Sequence, residues 1–439
     1  MAVAVTNCLK ANAENKLPEA IFERLAQSRA ELAFTLLQRL LEIKSSEVEV
    51  KSILPVAWNT LRMHNPNLGP ALEGDDADYY RMLLKILYLA LQVHTSTESI
   101  PSQDVDFSRA DGASAPKWSS TPKQILQNAL EILTTIVAQG FRSLTIILHD
   151  TSHLVHPSDF SLITAILRSV IHIPDTSRNT THLLTSFMDS QTARCASTLL
   201  SWSDQLATSG DPVYGELSII FLLEMSFVPS LAESLAVEGV LTHMLSTNLV
   251  RLLQARPFGP FDQPARMYNI WARGLLPLLL NLLHSVGAPL AAEIAAALNS
   301  FPHQLARASN VFASNPRTST NDPNAECITI TMASEAVNLA LVTTVLQSFS
   351  EAGGSAGVIA SQLEEVNWDR AQVKEDAEGW LSRRGGLRDR IVPTSQREDA
   401  WSRAKPSKDD GVSENRLEEK VVEEMKNVVG ILEGQGVTQ

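Results

Sequence analysis

From Leu17 to about Ser350 the chain repeats one pattern: Leu-rich stretches with apolar residues at helical spacing, separated by short punctuation of Pro, Gly, Asn or Asp. No strand-like alternation comes between them. A helix with one apolar stripe must bury it against a neighbour, so a long run of such helices folds as stacked pairs. The expected fold is all-α, a HEAT/armadillo-like α-solenoid superhelix, which offers a binding surface rather than a reaction pocket. An all-α globule without repeat order is the competing reading.

With 439 residues, 44% of them hydrophobic, the chain exceeds the roughly 250–300 residues that one compact core reaches, so several domains or an elongated repeat are expected. Aromatics are only 6%, while Leu and Ala dominate, the side chains that lose least entropy in a helix. A net charge of −13 opposes a phosphate backbone, and no nucleic-acid partner is expected. Cys8, Cys195 and Cys327 are too few and too far apart for a disulfide framework or a CxxC metal motif, which points to a reducing compartment. The first sixteen residues lack the sustained apolar core of a secretory signal. Gly274 to Leu298 is the most apolar stretch and is long enough for the ~20 residues of a membrane span. Pro277, Asn281, His284, Gly287, Pro289 and Glu293 interrupt it, so two buried helices meeting at Gly287 are expected, with no transmembrane segment.

Helix starts recur as a capping residue followed by Pro, most clearly at Thr121-Pro122 and Asp211-Pro212. After Pro122, Ile125, Leu126, Ala129, Leu130, Leu133, Ile136 and Val137 share a face. A first long helix from Leu17-Pro18 carries Ile21, Leu25, Leu32, Leu36, Leu40 and Ile43 as its expected buried stripe. A third, opening at Asp75, Asp76 and Asp78, carries Tyr79, Leu83, Leu84, Leu87, Tyr88 and Leu91. Starts near Pro18, Glu47, Asp75, Pro122, Pro157, Pro212, Gly239, Pro264, Pro289 and Ala325 fit units of about 40–47 residues, although no strict repeat is visible.

The expected organisation is a helical solenoid over 1–385, with a long polar loop at 95–120 and a short one at 315–324. Residues 386–439 read as a basic linker and a terminal amphipathic helix, a partly disordered tail. That helix places Leu417, Val421, Met425, Val428 and Leu432 on one stripe, which docks either on the last repeat or on a partner protein. These five are the candidate partner-binding residues.

Catalytic signals are absent: no GxSxG elbow, Walker loop, dinucleotide fingerprint or kinase set is present, so no catalytic residue and no cofactor is expected. His149, His153 and His156 have the spacing of one helix face, but Pro157 follows at once and neither a Cys nor an HExxH glutamate accompanies them. A turn there is the simpler reading, and no metal site is expected. Gly353 to Gly357 reads as a hinge or helix break. The run Arg383, Arg384, Arg388, Arg390, Arg397, Arg403, Lys405 and Lys408 is interrupted by Asp389, Glu398 and Asp399, and a solvated linker is its commoner meaning. Phe258-Gly259 is a single FG dipeptide, so if FG contacts matter the chain is their receiver, through apolar slots between helices.

Two long helical strings, Asp211 to Met244 and Gly274 to Ser309, resemble the C-terminal tail of the large inner-ring scaffold nucleoporins of fungi, of the one-eighty-eight type. The resemblance implies a superhelix similar to nuclear transport receptors and a place in the nuclear pore complex at the nuclear envelope. It also implies docking of helical motifs from linker nucleoporins, contact with FG repeats, and a part in protein and mRNA transport. No residue-level binding motif carries over, and members of that family are far longer. Two other readings stand beside it. One is a soluble armadillo-type adaptor or transport-receptor-like protein outside the pore, and the other a helical enzyme or metal protein built on the His149 to His156 group.

Overall fold

The computed structural model describes residues 1–14, 19–43, 51–74, 76–95, 122–151, 153–173, 175–207, 210–313, 326–351, 363–383, 386–403 and 416–434. The expected loops 95–120 (beyond Thr95) and 315–324, the Gly353 to Gly357 break, the starts at Pro18, Glu47, Asp75 and Ala325, and Arg384, Lys405 and Lys408 lie outside them. Among the described residues all regular structure is helical, apart from isolated bridge positions at Asp211 and between Ile328 and Ile391, the latter parallel.

By its internal contacts the chain falls into two compact units, Met1–Ala196 and Ser197–Gln439. The first contains α1 (Ala2–Glu14), α2 (Glu19–Glu42), α3 (Ile53–His64), α4 (Leu68–Glu73), α5 (Ala77–Thr95), α6 (Lys123–Asp150), α7 (Pro157–Ile171) and α8 (Thr180–Asp189). Helix α9 (Thr192–Trp202) carries the boundary. The second contains α10 (Val213–Ser226), α11 (Pro229–Val237), α12 (Val240–Leu245), α13 (Asn248–Ala255), α14 (265–286), α15 (Ala288–Asn299) and α16 (Pro302–Ser309). It continues with α17 (Ile330–Glu351), α18 (Arg370–Ser382), α19 (Gln396–Ser402) and α20 (Arg416–Leu432). Among the described residues, helix pairs in extensive contact lie within four elements of one another in chain order. That nearest-neighbour packing is the signature of an α-solenoid.

In the first unit, α5 and α6 bury the stripes expected of them. Tyr79, Leu83, Leu84, Leu87 and Leu91 are buried in α5, and Ile125, Ala129, Leu133, Ile136 and Val137 in α6. Helix α2 departs from expectation. Its buried residues are Ala26, Ala30, Ala33, Leu37 and Leu40, whereas Ile21, Leu32 and Ile43 are exposed. Three alanines let α2 sit close to α1 and α5, and the larger side chains are turned to a second face. Helix α1, absent from the sequence reading, supplies part of that close contact through Val5 and Leu9.

The α5–α7 contact is fastened by Arg81. Its guanidinium spans Asp159 with Nε–Oδ1 3.0 Å and Nη2–Oδ2 3.1 Å, and Nη2 also donates to the Leu154 carbonyl at 2.7 Å. Asp159 additionally accepts from the His156 backbone N–H at 2.9 Å, holding the first turn of α7. Because Asp159 is buried, Asp159→Ala leaves a poorly solvated cation, and a loss of about 3 kcal/mol is expected in urea denaturation of the chain. A loss below ~1 kcal/mol would show that the pair is no more than a surface contact.

In the second unit a π-helical turn, Ile270–Leu275, runs inside α14. Gly274 within it is required by close approach: a Cβ there would lie 2.5 Å from Ile219 Cγ2 of α10. Gly287, at φ +75°, ends α14 and turns the chain into α15, so the most apolar stretch is two helices as expected. Lys123–Asp150 and 21 residues of α17 are long and apolar enough to cross a membrane by length and composition. Their most apolar windows are 61% and 50% buried within the fold.

The segment expected to be a solvated basic linker packs instead on the second unit. The Arg390 guanidinium stacks on Trp380 at 4.9 Å and donates to the Ala313 carbonyl, and Ile328 donates its backbone N–H to the Arg390 carbonyl and accepts from the Val392 N–H. Helix α19 is capped by Ser395, and its buried Glu398 accepts from Thr394 and faces Arg273 of α14 at 3.6 Å. Arg397 lies over Trp401, and Arg403 pairs with Asp399. The arginines serve stacking and local pairing, which charge counting alone cannot distinguish from solvation.

Candidate partner-binding grooves

The predicted binding stripe of α20 faces inward. Leu417, Val421, Met425 and Val428 are at most 1% exposed, packed against α17 and α18, while Leu432 is only half-buried and Ile431 is buried beside it. Glu424 accepts from Ser334 at 2.9 Å, and Glu433 pairs with Lys374 at 3.3 Å, fixing the helix from its polar edges. Of the two dockings the sequence left open, the structure has the helix seated on its own chain.

The histidine group does not assemble. His149 ends α6 and pairs with Asp150 at 2.9 Å, His153 lies in a turn, and His156 precedes α7. Among the described residues no group of three His, Cys, Asp or Glu side chains is placed to hold a metal. Phe258 of the FG dipeptide is 8% exposed and folded into the second unit.

What remains open is a groove between α3 and α6, bordered by Lys10 of α1, with a volume of about 540 Å³. Pro55, Val56, Trp58 and Met63 form its apolar wall, and Gln124, Gln127, Asn128 and Glu131 line the facing side. Glu131 organises the floor: its Oε2 accepts from Trp58 Nε1 at 2.9 Å and lies 3.5 Å from Arg62, and its Oε1 accepts from Gln127 at 3.1 Å. This carboxylate therefore locks the indole edge against α6 and leaves Met63, 65% exposed, at the rim. Asn128 Nδ2 is buried without a hydrogen-bond partner, while Gln124 and Gln127 present exposed amides on the same side. Directly after Glu131 α6 widens into a π-helical turn, Leu133–Ala138, an irregularity often found at functional sites. Nothing in the sequence marked this groove, since Trp58 and Glu131 are 73 residues apart and neither forms part of a motif.

A second cavity of about 580 Å³ in the other unit is lined by Asp211, Gln263, Pro264, Ala265, Arg266 and Asn269. Its arginine is already held by Asp211 at 2.9 Å and by Glu216. Lacking a large apolar wall, it offers less to a peptide than the α3–α6 groove.

Comparison with known proteins identifies the setting of these grooves. Residues 53–432 match the family described as the nuclear pore protein NUP188 C-terminal domain. The chain belongs to the NUP188 C-terminal domain family. A NUP188 nucleoporin of Chaetomium thermophilum is 34% identical over 98% of this chain, and nucleoporin nup184 of Schizosaccharomyces pombe is 26% identical over 64% of it. A solved Nup188 fragment from Myceliophthora thermophila superposes with a TM-score of 0.69 at 32% identity, covering 87% of this chain and 98% of that one. The chain spans about a quarter of the length of the Chaetomium NUP188 and less of the fission-yeast relative. The family match begins at α3, so it contains both walls of the α3–α6 groove, Trp58 and Glu131 included.

Proposed function

We propose that the chain is a scaffold segment of the nuclear pore complex, in its inner ring, that binds linear motifs of linker nucleoporins in grooves between its helices. The observation carrying this reading is membership of the NUP188 C-terminal domain family together with an open α3–α6 groove that has an apolar wall and a polar facing side. An amphipathic helix laid there seats an apolar side chain against Pro55, Val56 and Met63 and meets the exposed amides of Gln124 and Gln127 with its polar groups. The same wall accommodates a Phe ring, so FG repeats are the second class of ligand, received rather than supplied by this chain. The role is structural and non-enzymatic, and the protein acts at the nuclear envelope.

The test is a fluorescence-anisotropy titration of the whole chain with linker-nucleoporin helical peptides and with FG-repeat peptides. Saturable binding to at least one class is expected, weakened about tenfold by Met63→Glu, the equivalent of ~1.4 kcal/mol. Because Met63 is exposed, this variant keeps its fold, which circular dichroism would check. Binding of neither class would favour an adaptor outside the pore, and binding indifferent to Met63→Glu would remove the groove from the mechanism.

A further inference from the structure

Residues 363–369 approach α18 without forming helix, and the second unit holds them in the way a receptor holds a short peptide. Asn299, the last residue of α15, grips the backbone of this strap with both ends of its amide. Its Nδ2 donates to the Glu365 carbonyl at 3.0 Å, and its Oδ1 accepts from the Asn367 N–H at 2.9 Å. Ser309, the last residue of α16, accepts from the Asp369 N–H at 3.1 Å. Between these two grips Trp368 is sunk into the fold, 5% exposed. The rest of the strap stays near solvent, with Glu364, Glu365, Asn367 and Asp369 exposed and Leu363 and Val366 half-buried.

One buried aromatic anchor, main-chain bonds indifferent to sequence and an exposed remainder are the anatomy of linear-motif recognition rather than of core packing. The seat is also imperfect for its occupant. Trp368 Nε1 is buried with no hydrogen-bond partner among the described residues, a penalty that disappears when the strap lifts. The downstream end is secured independently: Asp369 Oδ1 accepts from the Gln372 N–H at 3.0 Å, and Arg370 Nη2 donates to Thr344 of α17 at 3.1 Å. Residues 363–368 can therefore leave while α18 keeps its place. We propose that Asn299, Ser309 and the Trp368 slot form a peptide-binding site held shut by the chain's own strap, whose partner is an extended, tryptophan-anchored segment of another protein. The strap itself names that chemistry, since an amide bonded to alternate main-chain groups demands an extended backbone and a slot filled by an indole demands a large aromatic ring. The site lies in the second unit and does not rest on the α3–α6 groove.

The probe is a fluorescent peptide with the sequence of residues 363–370. It is titrated against the whole chain carrying Trp368→Ala, which vacates the slot, and against the parent, in which the tethered strap outcompetes it. The variant binds at least tenfold more tightly than the parent, adding Asn299→Ala removes that gain, and a probe with its tryptophan replaced by alanine binds neither chain. Helical content and melting establish that the variants are folded. Hydrogen exchange on the unaltered parent supplies a reading that no folding defect can disturb: the Asn367 amide exchanges at least tenfold faster than amides in the middle of α15, because the strap opens while the helix does not. Equal binding by parent and variant, indifference to Asn299→Ala, or an Asn367 amide as protected as the α15 interior would overturn the proposal. So would a dimer of the parent that depends on Asn299, which would make the occupant the strap of a second copy.

Discussion

Replacing Glu335 with Ala is expected to destabilise the second unit by about 3–5 kcal/mol, the largest single-site effect we foresee in the chain. Glu335 in α17 is fully buried and accepts from three donors: Tyr268 Oη at 2.8 Å, Trp271 Nε1 at 2.6 Å and the Arg307 guanidinium. Arg307 also lies over the Tyr268 ring at 4.7 Å, and Trp271 packs on Phe301 at 4.7 Å. Burial, reinforced by the Glu335 charge, pushes the Tyr268 phenol well up, so it stays a neutral donor. The carboxylate thus joins α14, α16 and α17 at one point. Its removal orphans two neutral donors and leaves a guanidinium whose Nε and Nη1 are already unpartnered. For a unit of this size the melting temperature should fall by roughly 10 °C. Glu335→Gln, which keeps volume and one acceptor, should lose less. A drop below ~1 kcal/mol for the Ala variant would show that the three donors find other partners and that the hub is unimportant.

The second large effect concerns the terminal helix. Val421→Asp combined with Met425→Asp places two carboxylates where the native side chains are completely buried against α17 and α18. Burying an unpaired carboxylate costs several kcal/mol, more than the loss of contact, so α20 should leave its seat. The remainder of the chain contains its own core and should stay folded. Limited proteolysis should therefore cut within or before α20 in the variant and not in the parent, with the body of the chain resistant. If α20 were instead held mainly from its edges by Ser334–Glu424 and Lys374–Glu433, the variant would remain protected. The same pair of proteins tests the partner role first suggested by the stripe: a partner that displaces α20 would bind the variant more tightly than the parent.

Several features were legible before any coordinates. The periods of α5 and α6, the break at Gly287 and the turn before Pro157 follow from spacing and from residues with restricted backbones, because those constraints act within one turn of chain. The α2 stripe shows the limit. Both its leucine face and its alanine face have helical period, and hydrophobicity favours the first. Close packing on α1 and α5 selected the second, since only small side chains permit that approach. The basic segment shows the same limit for charge, because a guanidinium stacked on Trp380 and one in water have identical sequence.

The sequence by itself determined that this protein is helical, that its helices are amphipathic, and through long matching strings to which family it belongs. Tertiary structure alone decided which stripe of α2 is inside, that α20 lies on its own chain, and that Trp58, Glu131 and Asn128 frame a groove. Helical period is fixed by local backbone geometry and is written in neighbouring residues. Which of two apolar faces is buried depends on the shape of helices distant in the chain, and that shape exists only after they have packed.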